Sequence, residues 1–143
     1  MSTVEKILEG KGREILSIDA DATVYDAAKR MIDANVGAML VSVDGRISGI
    51  VTERDYLRRV TLEGRSDKET PVREIMSSPL IVVSPDTSVE ECMSLMTERR
   101  IRHLPVAEHG EIVGVVSIGD VVKFTSKLQS VQIQYLTEYI TAR

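Results

Sequence analysis

The sequence predicts an α+β fold made of two tandem repeats, each ordered strand, helix, strand, strand, helix. Three observations carry this. The chain matches itself without a gap at an offset of 65, residues 15–60 onto 80–125. Apolar residues within each copy alternate between helical and strand spacing in the same order. A turn dipeptide, Asp44-Gly45 or His109-Gly110, separates the last two strand-like runs of each copy. Identities at Asp21/Asp86, Val24/Val89, Met31/Met96, Val41/Val106, Gly45/Gly110, Ile47/Ile112, Gly49/Gly114, Val51/Val116 and Asp55/Asp120 fix the register. Units this short leave an apolar face uncovered, so the expectation is one compact domain whose single core is completed when the copies pack together.

Taken in order, Val4–Leu8 reads as a short helix, followed by a flexible basic loop, Glu9-Gly10-Lys11-Gly12-Arg13-Glu14, with no counterpart in the second copy. Ile15–Ile18 is a strand. Thr23 then caps a helix whose apolar positions Val24, Ala27, Ala28, Met31 and Ile32 fall on one face. Strands Ala38–Val43 and Ile47–Val51 flank Asp44-Gly45, and a helix spans Glu53–Thr61. A polar loop follows, and Pro71 opens a short helix, Val72–Met76, that repeats Val4–Leu8 at an offset of 68. In the second copy Ser88 and Glu91 form a capping box ahead of Val89, Cys92, Met93 and Met96. Strands Leu104–Glu108 and Ile112–Val116 and a helix over Ile118–Ser126 complete it. A tail with Leu128, Val131, Ile133, Tyr135, Leu136, Tyr139 and Ile140 reads as helical and apolar on more than one side. The expected boundaries are 1–62 for the first repeat, 63–71 for a linker, 72–127 for the second repeat and 128–143 for the tail.

The 143 residues, 43% apolar, suffice for one ordinary core. A net charge of −4 argues against a protein that coats nucleic acid or anionic membrane. The N-terminus lacks a signal-peptide apolar run and no window is long enough to span a bilayer, so a cytoplasmic protein is expected. One cysteine forms no internal disulfide. Cys92 aligns with Ala27 on an apolar helix face and reads as packing. Two histidines and one cysteine on different elements match no metal-ligand spacing, and no metal is expected.

The chemistry-bearing motif is Gly-apolar-Val-Thr/Ser-x-x-Asp, present as Gly49–Asp55 and Gly114–Asp120. Its hydroxyl ends a strand and caps a helix, and the acid three residues later stands at the positive end of the helix dipole. A pure capping arrangement explains one copy. Two copies in register fit a second use: exposed N–H groups suit phosphate, and a carboxylate beside them suits ribose hydroxyls. The glycine either lets chains approach closely or eases a turn.

With Arg102-His103-Leu104-Pro105-Val106 and Gly110 ahead of the second motif, the pattern resembles the cystathionine-β-synthase (CBS) domain family, over about Val4 to Ser126. The pair resembles a Bateman module, the unit two such domains form. The resemblance implies two β-α-β-β-α copies about a pseudo-two-fold axis. It also implies a regulatory, non-catalytic, signal-transducing module that binds AMP, ADP, ATP, NAD or S-adenosylmethionine in two clefts between the copies, and a homodimer. Asp55 and Asp120 would hold ribose, with Thr52 or Ser117 on ribose or phosphate. Arg102 and His103, ahead of Leu104 and Pro105, would reach phosphate. Lys11, Gly12, Arg13 and Leu16 would face the Asp120 cleft, and Ser77, Ser78, Pro79 and Ile81 the Asp55 cleft.

The copies differ where Arg102-His103-Leu104-Pro105 is replaced by Gly37-Ala38-Met39-Leu40, which leaves Arg54 and Arg58 as phosphate candidates beside Asp55. Two unequal sites are expected. With no Trp and one Phe, adenine would lie between aliphatic side chains. No acid–base pair, Walker loop or Gly-x-Gly-x-x-Gly supports an enzyme. The rivals are a ligand-free structural or interaction module and, behind it, a nucleotide-converting enzyme.

Overall fold

Thr23 and Ser88 begin the best-matched helices of the two copies, and the computed structural model shows both acting as caps. The Thr23 Oγ1 accepts from the Asp26 N–H at 3.1 Å, and the Ser88 Oγ from the Glu91 N–H at 3.1 Å. The structure describes residues 2–128; the tail helix expected beyond them lies outside the described residues. The elements are α1 (Val4–Lys11), β1 (Ser17–Asp19), α2 (Val24–Ala34), β2 (Ala38–Val43), β3 (Arg46–Thr52), α3 (Glu53–Tyr56), α4 (Val89–Arg99), β4 (His103–Glu108), β5 (Glu111–Ser117) and α5 (Ile118–Leu128).

The chain divides into two compact units. One comprises residues 15–80 and holds Asp55; the other, among the described residues, comprises 2–14 and 81–128 and holds Asp120. In the Asp55 unit β1 runs parallel to β2, with Ile18 opposite Val41, and β2 pairs antiparallel with β3 from Ala38↔Thr52 to Val43↔Arg46. In the Asp120 unit β4 pairs antiparallel with β5 from His103↔Ser117 to Glu108↔Glu111, and Val83 makes the parallel bridge to Val106 that Ile18 makes to Val41. Both hairpins turn through two residues of positive φ: Asp44 at 52° and Gly45 at 81°, His109 at 53° and Gly110 at 79°. These are the angles a two-residue turn between twisted strands requires.

The units do not follow the repeat boundaries, because the short segment before each copy packs within the unit of the other copy. Val4 N–H donates to Thr87 O and Val89 N–H to Ser2 O, so α1 belongs with the second repeat. The matching bonds, Val72 N–H to Ala22 O and Val24 N–H to Thr70 O, tie 70–76 to the first. The buried apolar residues accordingly form two clusters rather than the single core expected from sequence. Val4, Ile7 and Leu8 of α1 join Val89, Cys92, Met96, Leu104, Val106, Val116 and Val121. Val72 and Ile75 join Ile18, Val24, Ala27, Met31, Met39, Val41, Val51 and Val60. The exchanged segments supply the apolar cover each repeat lacks.

The motif glycines are explained by the same exchange. A Cβ on Gly49 would lie 2.8 Å from Met76 Sδ and 3.0 Å from Ser77 O, and one on Gly114 would lie 2.9 Å from Leu8 Cδ2. Neither has a positive φ, so close approach, not turning, is the reason for glycine.

Several expectations are corrected. The basic loop is half helix: α1 continues through Glu9, Gly10 and Lys11 and ends at Gly12, whose φ of 102° lets its N–H return to Leu8 O. The first strand is Ser17–Asp19 rather than Ile15–Ile18, because pairing with β2 starts at Ser17↔Leu40. Ile32 is 79% exposed, since the buried face of α2 narrows to Val24, Ala27 and Met31; Met93 on α4 is likewise exposed. The helix after β3 is α3 followed by a π-helical turn, Leu57–Thr61. Val72–Glu74 is a single 3-10 turn, shorter than the helix expected over Val72–Met76, with Pro71 extended before it as the cap. The Ser88 cap is one-sided, its hydroxyl accepting from Glu91 without a returning carboxylate.

Candidate functional site

In each unit the antiparallel hairpin brings the start of its first strand against the end of its second, where a helix begins. At the Asp120 junction His103 pairs with Ser117, and Ile118 N–H donates to Arg102 O at 2.9 Å. Arg102, His103, Ser117 and Asp120 are therefore gathered at one end of the sheet. At the Asp55 junction Ala38 pairs with Thr52, and Glu53 N–H donates to Gly37 O at 3.1 Å, so Gly37 and Ala38 occupy the corresponding places.

The two carboxylates are held alike. Asp55 Oδ2 accepts from the Thr52 N–H at 2.9 Å and the Thr52 hydroxyl at 3.2 Å, and the Asp55 N–H donates to Thr52 Oγ1 at 3.2 Å. Asp120 Oδ2 accepts from the Ser117 N–H at 2.8 Å, and the Asp120 N–H donates to Ser117 Oγ at 3.1 Å. Each acid thus completes a reciprocal cap with its hydroxyl. Among the described residues every one of these bonds to a carboxylate uses Oδ2, which leaves Oδ1 for an outside donor.

The sites differ in charge. Lys11 Nζ lies 2.6 Å from Asp120 Oδ2 and 2.5 Å from Val115 O. Burial pushes the Asp120 carboxyl up, but the Lys11 hydrogen bond, the Ser117 N–H and the Lys11 charge outweigh it, and the net position is below the ordinary value. At Asp55 burial wins and the carboxyl is raised, despite the Thr52 bonds and the charges of Arg59 and Arg58. Arg59, which sequence reading passed over, is therefore a cation felt by Asp55; helical spacing from Asp55 was the signal for it. Arg54 is exposed and does not enter that balance.

The remaining sequence-derived residues lie within one unit or the other. Ser77 lies against β3, exchanging backbone bonds with Ile50, while Ser78 and Pro79 are exposed beyond it. Arg13 pairs with Glu5 in the Asp120 unit. Gly12 caps α1. Leu16 packs on the core of the Asp55 unit, and Ile81 on that of the Asp120 unit. Met39 and Pro105 are buried in their strands. Sequence reading also missed the open groove beside the N-terminal turns of α5, lined by Arg102, Ile118, Gly119, Val122, Lys123 and Ser126. Cys92 is fully buried, and burial followed by the Glu91 charge pushes its thiol up to about 11, far from a reactive thiolate.

Known proteins share this fold. The CBS domain family matches residues 11–61 and 72–127. The chain is 43% identical, over 97% of its length and 72% of the relative's, to a mitochondrial CBS domain-containing protein of Arabidopsis thaliana. A solved structure with CBS domains from Burkholderia ambifaria is similar with a TM-score of 0.86 and 47% identity, covering 90% of this chain and 97% of that one. Another, a CBS domain protein of Pyrobaculum aerophilum complexed with AMP, has a TM-score of 0.74 and 28% identity, covering 82% and 88%. No helix among the described residues is long and apolar enough to cross a membrane. With two matched domains across most of its length and relatives built on the same pair, the chain belongs to the CBS-domain family.

Proposed function

We propose that this chain is a non-catalytic regulatory module that binds an adenosine nucleotide, AMP, ADP, ATP or NAD, at two unequal sites built on Asp120 and Asp55. The observation that carries the reading is the repeated junction: in both units a half-buried carboxylate is fixed through Oδ2 by its own cap while Oδ1 faces no described donor. A fixed carboxylate with one open oxygen suits a ribose hydroxyl, and fixing it beforehand lowers the ordering cost of binding. The AMP complex of the Pyrobaculum relative supports the ligand class. Arg102 and His103 supply the phosphate side of the Asp120 site, and Arg58 and Arg59 that of the Asp55 site. Thr52 and Ser117 orient the acids. The aspartates hold hydroxyls rather than move protons, and no metal is needed for that role.

The module acts as a homodimer on a target protein whose identity its sequence does not carry. A cytoplasmic location belongs to the proposal, and the mitochondrial relative makes the organelle the competing compartment. A second reading, a ligand-free interaction module, is favoured by the caps themselves, which satisfy both acids locally. Thermal unfolding separates the two. Ligand at about 100 times its Kd stabilises a protein by roughly 2.7 kcal/mol, so millimolar AMP, ATP or NAD is expected to raise the Tm by several degrees. An unchanged Tm with all three would overturn the nucleotide reading.

A further inference from the structure

The Asp120 junction contains one feature that the repeat does not reproduce. The Lys11 ammonium, delivered by the last turn of α1, donates to Asp120 Oδ2 at 2.6 Å and to Val115 O at 2.5 Å. The pair is partly shielded, with side-chain exposures of 36% for Lys11 and 21% for Asp120. In the Asp55 unit the segment after Val72–Met76 supplies no such partner: among the described residues no cation lies within ion-pair distance of Asp55. Arg102 and Lys123 add two further cations along the groove at the start of α5.

We infer that Lys11 is a specificity-determining residue of the Asp120 site, selecting anionic adenosine ligands against uncharged ones by holding the ribose-binding carboxylate until a phosphate replaces it. The inference rests on the nucleotide reading. The two neighbouring hydroxyls of a ribose engage both oxygens of Asp120: one donates to the open Oδ1, and the other meets Oδ2, already shared by the Ser117 N–H and Lys11. Taking that oxygen leaves the ammonium with Val115 O alone in a partly desolvated setting, which is unfavourable for a full charge. A nucleoside offers nothing in return. A nucleotide brings phosphate oxygens, and the flexible lysine stem with its three donors lets the ammonium transfer from carboxylate to phosphate without losing an ionic partner. The Asp55 site, with no lysine to displace, lacks this discrimination.

The test is calorimetric titration of adenosine and of AMP into the full chain, the Asp120 component being the part of the isotherm that Asp120→Ala removes. In Lys11→Met that component should bind adenosine more tightly and AMP more weakly than wild type, lowering the AMP-to-adenosine affinity ratio by about fivefold or more, as expected for loss of one partly shielded ion pair. Lys11→Gln, which keeps a donor for Val115 O, should give the same shift, and Lys11→Arg should restore the wild-type ratio. A ratio unchanged in both neutral variants, or equal weakening of both ligands, overturns the inference while leaving nucleotide binding intact. Failure of the underlying reading shows differently: wild type binds neither ligand, and the selectivity assigned to Lys11 falls with it.

Discussion

Asp55 and Asp120 are the same residue of the repeat in the same cap, yet their acidities move in opposite directions: burial dominates at Asp55, and Lys11 is a direct ion partner only of Asp120. Asp120 is held below the ordinary carboxylate value of 3.8; burial alone would raise it, but Lys11 and Ser117 overcome that. Its contribution to stability is therefore complete above pH 3.8 and is lost as the pH falls through its lower folded value. Asp55 is raised by burial, so folding takes up a proton between 3.8 and its folded value, and acidification through that window favours the folded chain at this residue. Carboxyl-carbon NMR titration should find Asp55 above and Asp120 below 3.8, with Asp120 moving up in Lys11→Met. Coincident titration of the two acids would contradict the assigned environments. The aspartates, their hydroxyls and the Arg102-His103 pair were legible in sequence because they recur or depart at fixed repeat positions. The role of Lys11 as an ion partner was not, since it depends on α1 continuing through Gly10 as far as Lys11 and ending only at Gly12, and a run rich in glycine reads as loop.

At the scale of elements, the hairpin strands and their turns followed directly from alternation and from Asp44-Gly45 and His109-Gly110, whereas the bounds of the first strand and the partner of each short leading segment did not. Periodicity states which face is apolar but not which core receives it. Leu8 illustrates this: it is 1% exposed, fills the space above Gly114 and belongs to the cluster of the second repeat, although it precedes the first. Leu8→Ala should cost about 2–5 kcal/mol. Hydrogen exchange should accelerate chiefly in α4, β4 and β5, with α2, β2 and β3 less affected. Acceleration confined to the first repeat would mean that α1 packs where chain order alone would have put it.

For the molecule as a whole, two clusters closed by exchanged segments hold two junctions of common design and unequal charge. The expectation of one shared core failed because sequence similarity reports the repeat, while the unit that folds is a repeat plus the leader of its neighbour. The expectation of unequal sites rested on Gly37-Ala38 against Arg102-His103, and Lys11 beside Asp120 adds a second source of asymmetry. Isothermal titration of AMP into wild type and Asp120→Ala is the most direct test of a nucleotide module with two independent sites. Wild type should show two classes of site, and Asp120→Ala should lose one class while the other keeps its affinity; loss of both classes, or of neither, would contradict it.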